Sequence, residues 1–86
     1  MINWARLPAG SSFRAHYHED MEETFVILAG VAQMKVGPDQ YELGRGDTLV
    51  VSPGEIHTME ARGSEDVEYI VVGISLGKQG RTIVVE

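Results

Sequence analysis

Glycine and proline interrupt this chain so often that no stretch holds apolar residues at helical spacing without a break. What lies between the breaks is short, rich in β-branched and aromatic residues, and of strand length. The expected strands are Ile2 to Leu7, Ser11 to Tyr17, Glu23 to Leu28, Val31 to Val36, Gln40 to Leu43, Thr48 to Val51, Ile56 to Glu60, Val67 to Ser75 and Arg81 to Val85. His18 to Glu22 is polar and reads as a loop, and Gly77 to Gly80 as a turn. Gly37-Pro38-Asp39 is the clearest hairpin signal, and Ser52-Pro53-Gly54 a tight bend. Val67 to Ser75 is the longest β-branched run and is expected at the centre of a sheet, buried in part on both faces. Strands at such intervals predict an all-β sandwich or barrel, and 86 residues allow a single domain with a thin core.

The three histidines of the chain are not scattered. His16 and His18 stand two apart, so an extended backbone points both imidazoles to one face. Glu23 follows at the head of the apolar run Thr24 to Ala29, and His57 lies just past the Ser52-Pro53-Gly54 bend. Three imidazoles and one carboxylate can fill four positions around a divalent transition metal; imidazole suits Zn, Cu, Fe and Ni, and the carboxylate extends the range to Mn.

This spacing resembles the cupin family in both of its motifs. The first, G(X)5HXH(X)3,4E(X)6G, is met at every fixed position over residues 10–30 by Gly10, His16, His18, Glu23 and Gly30. The second, G(X)5PXG(X)2H(X)3N, covers residues 46–61 with Gly46, Gly54 and His57 in place, while Ser52 and Ala61 stand where the family has proline and asparagine. The resemblance implies a small jelly-roll (cupin) β-barrel and the metal ligands His16, His18, Glu23 and His57. Glu22 also fits the permitted gap, but the distance to Gly30 selects Glu23, and strand parity puts Glu23, Phe25 and Ile27 on one inward face. Four protein ligands on a six-coordinate ion would leave two positions open, the arrangement of a catalytic rather than a structural site.

Phe25, Ile27, Met34 and Met59, with Trp4 or Phe13, are the expected lining of the pocket. Alternation turns Tyr17 away from the metal; Tyr41 and Tyr69 could offer a hydroxyl, Glu60 an acid or base on the rim, and Arg6, Arg14 and Arg45 an anchor for a carboxylate.

Composition closes off other readings. A formal net charge of −6 with only seven scattered Lys and Arg argues against nucleic acid. No basic amphipathic helix points to a membrane, and no charged-then-apolar leader opens the chain. Without cysteine there is no disulfide, thiolate nucleophile or Cys-type zinc site, and the expected setting is cytoplasmic. The resemblance to cupins implies first a mononuclear metalloenzyme, dioxygenase-like or using Lewis-acid chemistry on a small organic molecule. The alternative is a non-catalytic, metal-dependent module that binds a sugar or an organic acid. A homodimer is expected, because a small barrel exposes edge strands; Met1 to Leu7, Val67 to Ser75 and Arg81 to Val85 are the candidates.

Overall fold

The computed structural model describes residues 1–75 and 82–85. Its strands are β1 (Ile2–Leu7), β2 (His16–His18), β3 (Met21–Ala29), β4 (Val31–Val36), β5 (Asp39–Leu43), β6 (Thr48–Val51), β7 (His57–Arg62), β8 (Val67–Ser75) and β9 (Thr82–Val84). They form two antiparallel sheets, ordered β1-β8-β3-β6 and β5-β4-β7-β2-β9, packed face to face as the double-stranded β-helix of a jelly roll.

Alternation decides which side chains enter the space between the sheets. On β3, Glu23, Phe25 and Ile27 are buried; on β4, Ala32, Met34 and Val36; on β7, His57, Met59 and Ala61. Ile27, Met34, Met59, Val51 and Val67 have almost no exposed surface, and each such side chain contributes about 1.5–3 kcal/mol by leaving water. β8 lies between β1 and β3, with Val67, Val71 and Gly73 facing in and Ile70 and Val72 half-buried on the outer face. It is therefore not an edge, and of the expected edge strands only β1 and β9 occupy one.

Several boundaries differ from expectation. Ser11 to Tyr17 does not form one strand. Ser11 and Phe13 bond to the backbone of β7 at Ala61 and Met59, but a regular ladder begins only at His16, opposite His57 and Val84. The expected loop at His18 to Glu22 shortens, because Met21 and Glu22 already pair with Ser75 and Ile74. β7 starts at His57 rather than Ile56, whose carbonyl takes the Gly37 N–H at 2.8 Å, and runs on to Arg62 opposite Val31. The last strand is described from Thr82 to Val84; Arg81 and the turn expected at Gly77 to Gly80 lie outside the described residues.

Candidate metal centre

The two sheets meet at a cluster of four polar side chains. His16 and His18 come from β2 and His57 from β7, all in the five-stranded sheet, while Glu23 comes from β3 in the four-stranded sheet. Local sequence explains the placement. His16 and His18 share a face by alternation, and antiparallel pairing sets His16 directly opposite His57. The Ser52–Glu55 bend that leads into His57 is tied to β2 by the Gly54 N–H, which donates to the His18 carbonyl at 2.7 Å. Gly54 sits at φ 81°, a left-handed conformation that glycine adopts without the penalty of a Cβ. Glu23 is carried inward by the parity of Phe25 and Ile27, whereas Glu22 pairs with Ile74 on the outward parity.

One ligand atom from each of the four residues lies within 4.8 Å of the others. His18 Nε2 and His57 Nε2 stand 2.9 and 3.1 Å from Glu23 Oε1. These approaches lack hydrogen-bond geometry, and all three atoms are buried without a hydrogen-bond partner. Each ring commits its other nitrogen elsewhere. Nδ1 of His16 meets the Arg14 carbonyl at 2.7 Å, and Nδ1 of His57 the Glu55 carbonyl at 3.0 Å. A carbonyl only accepts, so Nδ1 carries the proton in both rings and a neutral ring keeps a lone pair on Nε2. Nδ1 of His18 lies 3.0 Å from the Thr82 hydroxyl, which can accept in the same way. The result is a set of acceptors converging in a buried space with no donor among them. A divalent cation resolves that conflict, and the oxygen and nitrogen donors suit a transition metal.

Burial and neighbouring groups shift two members of the cluster. Burial holds the His16 imidazole below its ordinary 6.5; the Arg14 carbonyl and Glu23 oppose this, and the His57 and His18 rings reinforce it. For Glu23, burial alone pushes the carboxyl up, but the close His57 ring and the charges of His18, His57 and His16 outweigh it and leave it below 4.5. Both shifts mean that the unfolded chain binds more protons than the folded one, His16 from about pH 6.5 downward and Glu23 from about 4.5. Stability of the metal-free protein is expected to fall with pH, first below about 6.5 and again as the Glu23 carboxyl protonates, a trend that urea midpoints between pH 7.5 and 4 would read.

Phe13 and Phe25 wall the cluster. Phe13 packs on His16 with ring centroids 5.2 Å apart and meets His57 edge-on at 6.1 Å; Phe25 lies 5.8 Å from His57. His16 is half-buried while the other three members are buried, so access from solvent is on the His16 side. Ile27, Met34 and Met59 are fully buried in the core. Tyr69 packs on Phe25 at 5.9 Å, its hydroxyl pushed up by burial and by the charge of Glu23. Glu60, Arg6 and Tyr41 are not brought to the cluster. Glu60 pairs with Arg62 on the solvent side of β7, Arg6 pairs with Glu68 at 3.6 Å, and Tyr41 and Trp4 are exposed. Clefts of about 320 and 430 Å³ lie on the outside of the molecule, and neither is lined by a member of the cluster.

Thr82 was not legible in the sequence, since 64 positions separate it from His18 and a lone threonine carries no signal. Thr82→Val keeps the shape and removes the hydroxyl, so metal affinity is expected to drop about 10–100-fold with stoichiometry unchanged, measured by competition against a chelator.

Comparison with known proteins agrees with the geometry. The Cupin domain family model (Cupin_2) matches residues 3–73. The "Oxalate-binding protein" of Thermotoga maritima is 34% identical over 71 residues, which is 83% of this chain and 59% of that protein. Three-fifths or less of each curated relative matched is spanned by this chain. Among solved structures, a "predicted oxalate decarboxylase" of Thermotoga maritima superposes with a TM-score of 0.84 at 32% identity, over 88% of this chain and 66% of that one. An uncharacterized protein of Klebsiella pneumoniae with a double-stranded β-helix domain superposes at 0.88 and 20% identity, over 99% and 73%.

Proposed function

Since this chain belongs to the cupin domain family, we propose that it binds one divalent transition metal on His16, His18, Glu23 and His57 and uses it to capture a small organic acid of the oxalate type. The observation that carries the reading is the convergence of His18 Nε2, His57 Nε2 and Glu23 Oε1 as buried atoms without hydrogen-bond partners. Fe, Mn, Ni, Cu and Zn all accept such a donor set. When bound, the metal would supply positive charge and open coordination positions to the oxygens of the acid.

The chain's own residues do the rest. Arg14 and Glu55 carbonyls hold the His16 and His57 rings in the ligating tautomer, and the Thr82 hydroxyl can accept from His18 Nδ1 to do the same there. Phe13 and Phe25 keep water from the inner side, which strengthens every charge interaction there. His16 is the one half-buried member of the cluster and the core below it is filled, which favours a small ligand approaching from the His16 side. Support for a carboxylic acid comes from the Thermotoga maritima oxalate-binding relative.

Turnover of the bound acid is the second reading, favoured by the likeness to the Thermotoga maritima structure described as a predicted oxalate decarboxylase. An oxygen-dependent reaction on a small organic molecule stays within the same reading, because the four-residue donor set leaves coordination positions open.

The test is to load the protein with each metal in turn, count metal per chain, and then add oxalate. One ion per chain is expected, with oxalate raising the melting temperature only of the loaded protein. At about 100 times the Kd the gain is about 2.7 kcal/mol, or roughly 10–20 °C for a domain of this size. Absence of metal uptake would remove the centre. Uptake without any response to oxalate or other small dicarboxylates would remove the ligand class. Carbon dioxide release or oxygen consumption separates turnover from capture.

A further inference from the structure

The five-stranded sheet has a concavity on the side away from the three histidines. Along β7, His57 and Met59 turn inward while Thr58, Glu60 and Arg62 turn out, and on β4 Gln33 and Lys35 turn out between buried neighbours. Register lines these side chains up. Lys35 stands between Gln40 of β5 and Thr58 of β7, Gln33 stands beside Glu60, and Ser12 bridges to Glu60 from the segment before β2. Together with Arg62 they line a cleft of about 320 Å³, and every lining side chain is polar. Sites for small molecules begin at about 300 Å³.

A run of hydrogen bonds gives the cleft a direction. Arg62 Nη1 donates to Gln33 Oε1 at 3.1 Å, and Gln33 Nε2 donates to Gln40 Oε1 at 3.4 Å. A guanidinium can only donate, so both amides are fixed in orientation and the Gln40 NH2 keeps its two protons for a ligand. The Thr58 hydroxyl commits its proton to the Phe13 carbonyl at 2.6 Å. The exposed Lys35 ammonium has no ion pair or hydrogen bond among the described residues, nor has the Ser12 hydroxyl. Donors therefore dominate, and the strong acceptor among the lining residues is Glu60, 3.8 Å from Arg62 Nε. Lys35 and Arg62 against Glu60 leave one net positive charge in the lining, on a chain whose net charge is −6. Glu42, opposite Gln33, lies outside that lining.

We propose that this cleft binds, without need of the metal centre, a hydroxylated carboxylic acid of single-sugar size, such as a uronic acid. The carboxylate goes to Lys35 and the neighbouring Gln40 amide. Ligand hydroxyls donate to Glu60 and exchange hydrogen bonds with Ser12. One net positive charge matches a monoanion, whereas a phosphate ester, at about −1.5 to −2, would set its further charge against Glu60. No aromatic side chain is among the lining residues, so a flat apolar ring finds no platform there.

The full chain is titrated with sodium glucuronate, once without metal and once loaded with zinc, and its amide chemical shifts are followed. In both forms the expected result is saturable shifts at Ser12, Gln33, Lys35, Gln40, Thr58 and Glu60. A response at His18 and Glu23 that appears only with zinc reports on the metal centre, so the two readings succeed or fail separately. Lys35→Met keeps the stem and removes the charge; it is expected to weaken binding at least about 10-fold, and Lys35→Arg to restore most of it. Lys35 is exposed, so neither substitution touches the core. Glucose, with hydroxyls and no charge, and inorganic phosphate, with charge and no sugar hydroxyls, are each expected to bind at least about 10-fold more weakly than glucuronate. No saturable shift at the cleft would overturn the proposal. So would glucose or phosphate binding as tightly as glucuronate, or an affinity indifferent to Lys35→Met.

Discussion

Gly30→Ala is expected to cost at least about 3 kcal/mol, enough to unfold a substantial fraction of a domain whose whole stability is of the order of 4–13 kcal/mol. Gly30 ends β3 at φ 81°, where a Cβ alone costs about 1–3 kcal/mol. A Cβ there would also run into the carbonyl oxygen of Asp66 and press within 3.1 Å of Val67 Cα. Both are backbone atoms at the entry to β8, so neither can rotate away, and relief requires moving the strand that pairs with β3 and β1. Gly63→Ala provides the comparison. Its φ of 80° is nearly the same, but nothing lies within 4 Å of the added carbon, and a loss of only about 1–2 kcal/mol is expected. Urea midpoints of the two variants decide it; equal losses would mean that the Asp66 contact is relieved by a shift too small to matter.

The second large effect concerns the metal. His57→Ala is expected to reduce metal affinity well beyond the roughly 10–100-fold of a supporting residue, to the point where purified protein carries almost none. The position is 1% exposed, between Phe13 and Phe25, so no water-borne substitute can take its place without opening the cluster. Glu22→Ala is the control. Its side chain is adjacent in sequence to Glu23 but on the outward parity, and metal content should not change. Elemental analysis of both variants, purified without chelator, reads the difference. Retained metal in His57→Ala would remove that imidazole from the donor set, and lost metal in Glu22→Ala would move the carboxylate.

The cluster itself could be read from the chain because its spacing is local. His16, His18 and Glu23 lie within eight residues, and period-two geometry alone settles which way each points. Gly10, Gly30, Gly46 and Gly54, the glycines of the two motifs, all adopt positive φ, so their positions marked real turns. What escaped the sequence was long-range. The role of Thr82 depends on β9 pairing beside β2, and Ser11 to Tyr17 looks like a strand until β7 takes its backbone at Ser11 and Phe13 without a continuous ladder. Likewise the pattern of Val67 to Ser75 showed a strand of unusual length but not that its outer side, with Ile2 and Trp4, would be left bare.

Three of the proposed ligands hang from one sheet and the fourth from the other, and the ion would therefore act as a bolt through the sandwich. Between His16 and His57 it would close a long loop, and between Glu23 and either of them it would join the two layers. Binding energy of this kind is folding energy. A chain with so slim a core would then survive in proportion to how well it is supplied: starved of metal it opens more often and is cleared by proteolysis, replete it persists. The amount of this protein in a cell would become a record of the metal it was offered.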